Sequence, residues 1–147
     1  MKTKIKELLD QKGYDLFTTT ADMKVRTVID ILAEHNIGDV VVVDANKKLV
    51  GIVSERDVIK KCLYKKVRVD DVEVSQIMSS NVITATPEDD VEHVLALMTK
   101  NRIRHVPVIT KDDEELVGLI SIGDLVKLIV DSKEEENQYL RNYIDQG

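Results

Sequence analysis

Apolar positions recur along this chain in two patterns, and each pattern is written twice. Val25, Val28, Ile29 and Leu32 fall at i, i+3, i+4 and i+7, the buried stripe of an amphipathic helix. Val91, Val94, Leu95 and Met98 repeat that stripe at an offset of 66 positions. Behind each stripe comes a nearly unbroken apolar run, VVVVD at 40–44 and VPVIT at 106–110, as expected of strands buried on both faces. Short β-rich runs precede the helices, LFTTT at 16–20 and VITAT at 82–86. Polar loops follow the central strands, then LVGIVS (49–54) and LVGLIS (116–121), and then helices predicted over 55–62 and 122–130. A lead-in helix is expected at 5–13 and a shorter one within 74–80.

Each copy therefore reads strand, helix, strand, strand, helix. A unit of roughly 60 residues buries too little surface to be robust alone. Two such units packed sheet to sheet, related by a pseudo-twofold axis and sharing a core, are the expected architecture. The fold class is α/β in the broad sense (α+β), with two β-α-β-β-α units. The expected organisation is a first unit with its lead-in helix at 1–66, a linker at 67–73, a second unit at 74–131 and a helical tail at 132–147. In the tail, Ser132 and Glu135 form a candidate capping box, and Tyr139, Leu140, Tyr143 and Ile144 make one apolar ridge. Such a ridge is expected to fold back on its own domain or to meet a second copy.

Composition narrows the function. A net charge of −6 and 3% aromatic residues argue against a nucleic-acid binder, which wants a basic face and stacking platforms. No segment has the apolar length of a membrane span, and the N-terminus lacks the apolar run of a secretory leader. The lone Cys62 has no internal partner, so a reducing compartment such as the cytoplasm is expected, with the thiol structural. His35, His93 and His105 show no metal-ligand spacing. Nucleophile-elbow, P-loop, dinucleotide-fold and zinc-protease motifs are missing, so no enzyme activity is expected.

The most specific feature is a repeated phrase, VGIVSERDV at 50–58 and VGLISIGDL at 117–125. Its two shared polar residues are a serine and an aspartate three positions on: Ser54 and Asp57, Ser121 and Asp124. One reading is structural, since Ser-x-x-Asp approximates a helix capping box, worth about 1 kcal/mol. The other is functional. A helix start seats phosphate, and an acceptor-only carboxylate one turn in suits the cis-diol of a ribose. The two readings are compatible.

These phrases, with NVITATPEDDV and RIRHVPV, resemble the tandem cystathionine-β-synthase (CBS) domain pair, or Bateman module, in its small stand-alone form. The likeness covers about residues 3–130. It implies that Asp57 and Asp124 grip ribose, with Ser54 and Ser121 beside phosphate. It implies adenine near the first strand of each unit, where Thr18, Thr20, Thr84 and Thr86 lie, although threonine is also simply a good strand residue. Arg102, Arg104 and His105, leading into Pro107, place cationic groups near a cleft in the second copy, whereas the first copy holds Asn36, Gly38 and Asp39. Arg56 either reaches the phosphate of a nucleotide held mainly by Asp124 or is a surface arginine. The second-copy site is the expected anion site.

The resemblance implies a regulatory module that binds an adenosine ligand (AMP, ADP, ATP, NAD(H) or S-adenosylmethionine) in the cleft between copies and biases a protein partner or its own homodimer. The alternative is a ligand-free structural module that docks on a partner protein.

Overall fold

The computed structural model describes the backbone of residues 3–146 and the side chains of 3–144. Helix α1 spans Ile5–Lys12, and strand β1 is only Thr18–Thr19. Helix α2 (Val25–His35) leads to β2 (Asp39–Val43) and β3 (Leu49–Ser54). A four-residue α3 (Glu55–Val58) continues into a π-helical turn at Ile59–Leu63. The second copy supplies α4 (Val91–Asn101), β4 (His105–Ile109), β5 (Leu116–Ser121) and α5 (Ile122–Gln146). The expected second lead-in helix is one 3-10 turn, Val74–Gln76.

In the first unit β1 pairs parallel with β2, and β2 pairs antiparallel with β3. In the second, β4 pairs antiparallel with β5, and the expected strand at 82–86 is reduced to a single parallel bridge, Ala85 to Val108. Proline chemistry accounts for the difference. Ala85 donates to the Pro107 carbonyl and accepts from the Ile109 amide, so the edge of β4 that faces Ala85 is the one where Pro107 has no N–H to give. At the matching position of the first unit stands Val41, which pairs with Thr18.

The core is not one shared layer. There are two buried clusters, and each unit's lead-in segment belongs to the other's cluster. Ile5, Leu8 and Leu9 of α1 pack with Val94, Met98, Val106, Ile120 and Leu125 of the second unit. Val72, Val74 and Ile77 pack with Val25, Val28, Val40, Val53 and Cys62 of the first. Backbone bonds follow the same exchange. The first amide of α2 donates to Val72 O and that of α4 to Thr3 O, so each lead-in also satisfies an orphan donor of the opposite helix. Two glycines admit these segments: an added Cβ at Gly118 would lie 2.7 Å from Leu9, and one at Gly51 would lie 2.7 Å from Met78. Thus α1 leads into the first unit along the chain but is a wall of the second in space.

The tail also differs from expectation. Helix α5 runs unbroken through Ser132, because no Gly or Pro follows Gly123 of its first turn and its i→i−4 bonds need no new cap. Tyr139, Leu140, Tyr143 and Ile144 stay exposed rather than folding back.

Candidate functional site

Both repeated phrases end in the same local structure. At the start of α3 the Asp57 amide donates to Ser54 Oγ (3.1 Å), and the Ser54 amide donates to Asp57 Oδ2 (2.9 Å). At the start of α5 the Asp124 amide donates to Ser121 Oγ (3.1 Å), and the Ser121 amide donates to Asp124 Oδ2 (2.9 Å). The capping box is therefore real in both copies. It also holds each carboxylate at a coil-to-helix junction.

The two carboxylates differ in what else they hold. Asp57 Oδ2 also accepts the Ser54 hydroxyl, and its Oδ1 faces Lys61 Nζ at 3.3 Å. Lys61 donates to Ile77 O as well, tying α3 to the crossing segment of the second lead-in. Asp124 receives Lys12 Nζ at 2.6 Å, again on Oδ2, and that ammonium also donates to Leu119 O at 2.8 Å. Among the described residues no hydrogen bond falls on Asp124 Oδ1, whereas the Oδ1 of Asp57 already faces the Lys61 ammonium. Burial pushes the Asp124 carboxyl up, but Lys12 and the Ser121 amide and hydroxyl together outweigh it and hold it below its ordinary value.

A cleft of about 330 Å³ opens beside Asp124, and its lining includes both residues that bond to it, Lys12 and Ser121. The remaining walls come from both units. Asp15, Leu16 and Phe17 arrive on the crossing segment after α1, Ile37 to Asp39 join α2 to β2, and His105 and Leu119 belong to the second unit. His105 Nδ1 lies 2.6 Å from Asp39 Oδ2. The Phe17 ring stacks on His35, with centroids 3.9 Å apart.

Of the residues singled out by sequence, Ser121, Asp124 and His105 come together here. Ser54 and Asp57 form the twin cap at the other junction. Thr18 is exposed on β1, and Thr20 Oγ1 donates to Asp22. Thr84 and Thr86 are half-buried in the segment before α4, where the Thr86 amide donates to Asp89. Pro107 is buried in β4. Arg56 and Arg104 are exposed and do not line the cleft beside Asp124; the Arg104 carbonyl accepts from the first amide of α5. Sequence reasoning missed Lys12, Asp15 and Phe17, because their place depends on the exchange of lead-ins, which no local pattern encodes. Asp39 was noted only as a contrast to His105, yet it lines the same cleft.

A larger groove of about 670 Å³ lies elsewhere, between α2 and the helical turns at 55–63, with Ile29, Leu32, Val58, Ile59 and Leu63 in its wall. Among the described residues no group of three or more His, Cys, Asp or Glu side chains is placed to hold a metal ion. None of their helices is long and apolar enough to cross a membrane.

Comparison with known proteins matches this geometry to a family. The CBS domain model fits residues 5–64 and again 74–131. The chain is 37% identical to the mitochondrial CBS domain-containing protein CBSX3 of Arabidopsis thaliana, over 99% of this chain and 73% of that protein. A CBS-domain containing protein from Agrobacterium tumefaciens superposes with a TM-score of 0.78 at 37% identity, covering 86% of this chain and 98% of that one. A CBS domain pair solved with 5′-methylthioadenosine and S-adenosyl-L-methionine superposes with a TM-score of 0.78 at 31% identity, covering 90% and 99%. With two family matches that account for both copies of the repeat, the chain belongs to the CBS-domain family as a tandem pair.

Proposed function

We propose that this CBS pair is a regulatory module rather than an enzyme, and that it senses an adenosine ligand in the cleft beside Asp124. The observation that carries the reading is the state of Asp124, a carboxylate fixed by its capping box with one oxygen still able to accept from a ribose diol. The cleft has the volume of a small-ligand site, at the lower end of the roughly 300–1,000 Å³ range. The relative solved with methylthioadenosine and S-adenosylmethionine supports an adenosine core as the shared element. AMP, ADP, ATP and NAD(H) share that core too. In this reading Ser121 sits on the phosphate side, Leu16 and Phe17 flank the base, and Asp57 with Ser54 forms a weaker second site because Lys61 already holds it.

Binding regulates only what distinguishes the filled from the empty state. The cleft is walled by both units and by the crossing segment, so a ligand there ties three chain segments together. The readout is a protein partner or a second copy of the chain, with the exposed α5 ridge as the dimer surface. That ridge also favours the alternative of a ligand-free docking module.

A thermal-shift panel with AMP, ADP, ATP, NADH and S-adenosylmethionine separates the two. Ligand at about 100 times its dissociation constant adds roughly 2.7 kcal/mol, a shift of several degrees. Asp124→Ala should abolish that shift in a chain that still melts cooperatively. No shift with any compound at millimolar concentration, or a shift unchanged in Asp124→Ala, overturns the ligand reading and leaves the docking module.

A further inference from the structure

We infer that Lys12 determines which adenosine ligands the Asp124 cleft accepts, favouring those with an anionic group on the 5′ carbon over neutral or cationic ones. This rests on the cleft being an adenosine site, as proposed above. The charges facing the cleft are few. Asp15 and Asp39 line it, Asp39 is bonded to His105, and Lys12 is the one lysine or arginine among its described lining residues.

The ammonium is held in place rather than loose. It donates to Asp124 Oδ2 at 2.6 Å and to Leu119 O at 2.8 Å, both on the wall of the second unit. An ammonium has three donors, and these two bonds leave a third for a ligand oxygen. Ser121, the cap partner of Asp124, shares the cleft lining with Lys12, and on this inference the 5′ substituent of a ribose held by Asp124 lies on that side. A phosphate there meets a cation already oriented by two bonds. Without Lys12 the lining carries Asp15 and Asp39 against His105, and Asp124 loses its ion-pair partner, a balance that repels a phosphate and attracts a sulfonium.

Nothing in the repeat announces this residue. Lys12 ends α1 just before Gly13, whose φ of 98° is a positive value suited to glycine. It reaches Asp124 only because α1 packs in the opposite unit, where Leu9 seats on Gly118. The helix that completes the second core therefore also delivers the cation.

Calorimetric titration of the full chain with AMP, 5′-methylthioadenosine and S-adenosylmethionine tests the idea on wild type, Lys12→Met and Lys12→Arg. Loss of one charge-assisted bond predicts that Lys12→Met weakens AMP by about tenfold or more. Methylthioadenosine should be unchanged and S-adenosylmethionine equal or tighter, while Lys12→Arg keeps the preference for AMP. A parallel loss for all three ligands would mean that Lys12 merely props the wall, and no change for any would mean that it does not meet the ligand. Either overturns the inference and leaves the adenosine site standing. If wild type binds none of the three, the site reading falls and this inference with it.

Discussion

His105 Nδ1 and Asp39 Oδ2 meet at 2.6 Å, and the two residues stand at the same place in their copies. Each opens its central strand, and each pairs in register with the cap serine of its unit, Asp39 with Ser54 and His105 with Ser121. The pseudo-twofold axis therefore passes between them. Two aspartates meeting across such an axis would repel, and the pairing of aspartate with histidine avoids that.

The pair predicts a charge-swap result. Both side chains are mostly buried, so truncating either leaves a polar partner unsatisfied at a cost of about 1–3 kcal/mol. His105→Ala and Asp39→Ala should each lower the midpoint of thermal unfolding by several degrees. The exchanged double variant, Asp39→His with His105→Asp, should recover most of that loss, since symmetry presents the same contact with its ends reversed. Calorimetric melting of the four proteins reads the coupling directly.

Asp124 predicts a pH dependence. Its folded carboxyl is held below the ordinary value of 3.8, so it binds protons less readily folded than unfolded. Its stabilising share is complete above that value and is lost as the pH falls through the lowered folded pKa. Denaturant unfolding of wild type and Asp124→Asn from pH 7 down to pH 3 should show the largest gap at neutral pH. The gap should close as acid removes the charge from the wild type. A constant gap would mean that the carboxylate is not what Lys12 and the capping box stabilise.

Gly118 predicts an overpacking penalty that α1 can relieve. A methyl group there would sit 2.7 Å from the fully buried Leu9. Gly118→Ala should cost about 1–3 kcal/mol. Leu9→Val in the same chain should give back part of it, a non-additivity that neither change shows alone. Urea titration of the two single variants and the double variant measures it.

Cys62 predicts inertness. It is fully buried in the first unit's core, and burial pushes its thiol up, away from the reactive thiolate. A chromogenic disulfide reagent should leave the native chain unmodified and react with one equivalent in denaturant. Rapid labelling of the folded protein would contradict the packing of the 72–78 segment over this core.

The α5 ridge predicts association. Tyr139, Tyr143 and Ile144 are each at least 70% exposed, far more than a solitary domain needs. Replacing Tyr139, Leu140, Tyr143 and Ile144 together by serine and lysine should leave the fold intact and shift sedimentation at micromolar concentration toward the monomer. An unchanged sedimentation coefficient would remove the ridge as a dimer surface.

What the sequence determined by itself was everything written locally and twice. The stripe at Val25 to Leu32 and its copy at Val91 to Met98 specify helices, because periodicity follows from the helix repeat alone. The Ser-x-x-Asp phrases specify capping boxes, because a cap joins residues three apart. The family likeness rests on those same short motifs. Tertiary structure decided which unit each lead-in completes and hence which residues share a cleft with Asp124. Lys12 and Asp124 are 112 positions apart, and their contact follows from Leu9 finding its seat on Gly118 in the opposite copy. Pro107 shows the same limit on a smaller scale. Its missing donor erases most of a strand that the VITAT pattern predicts, since a strand exists only where a neighbour can bond it.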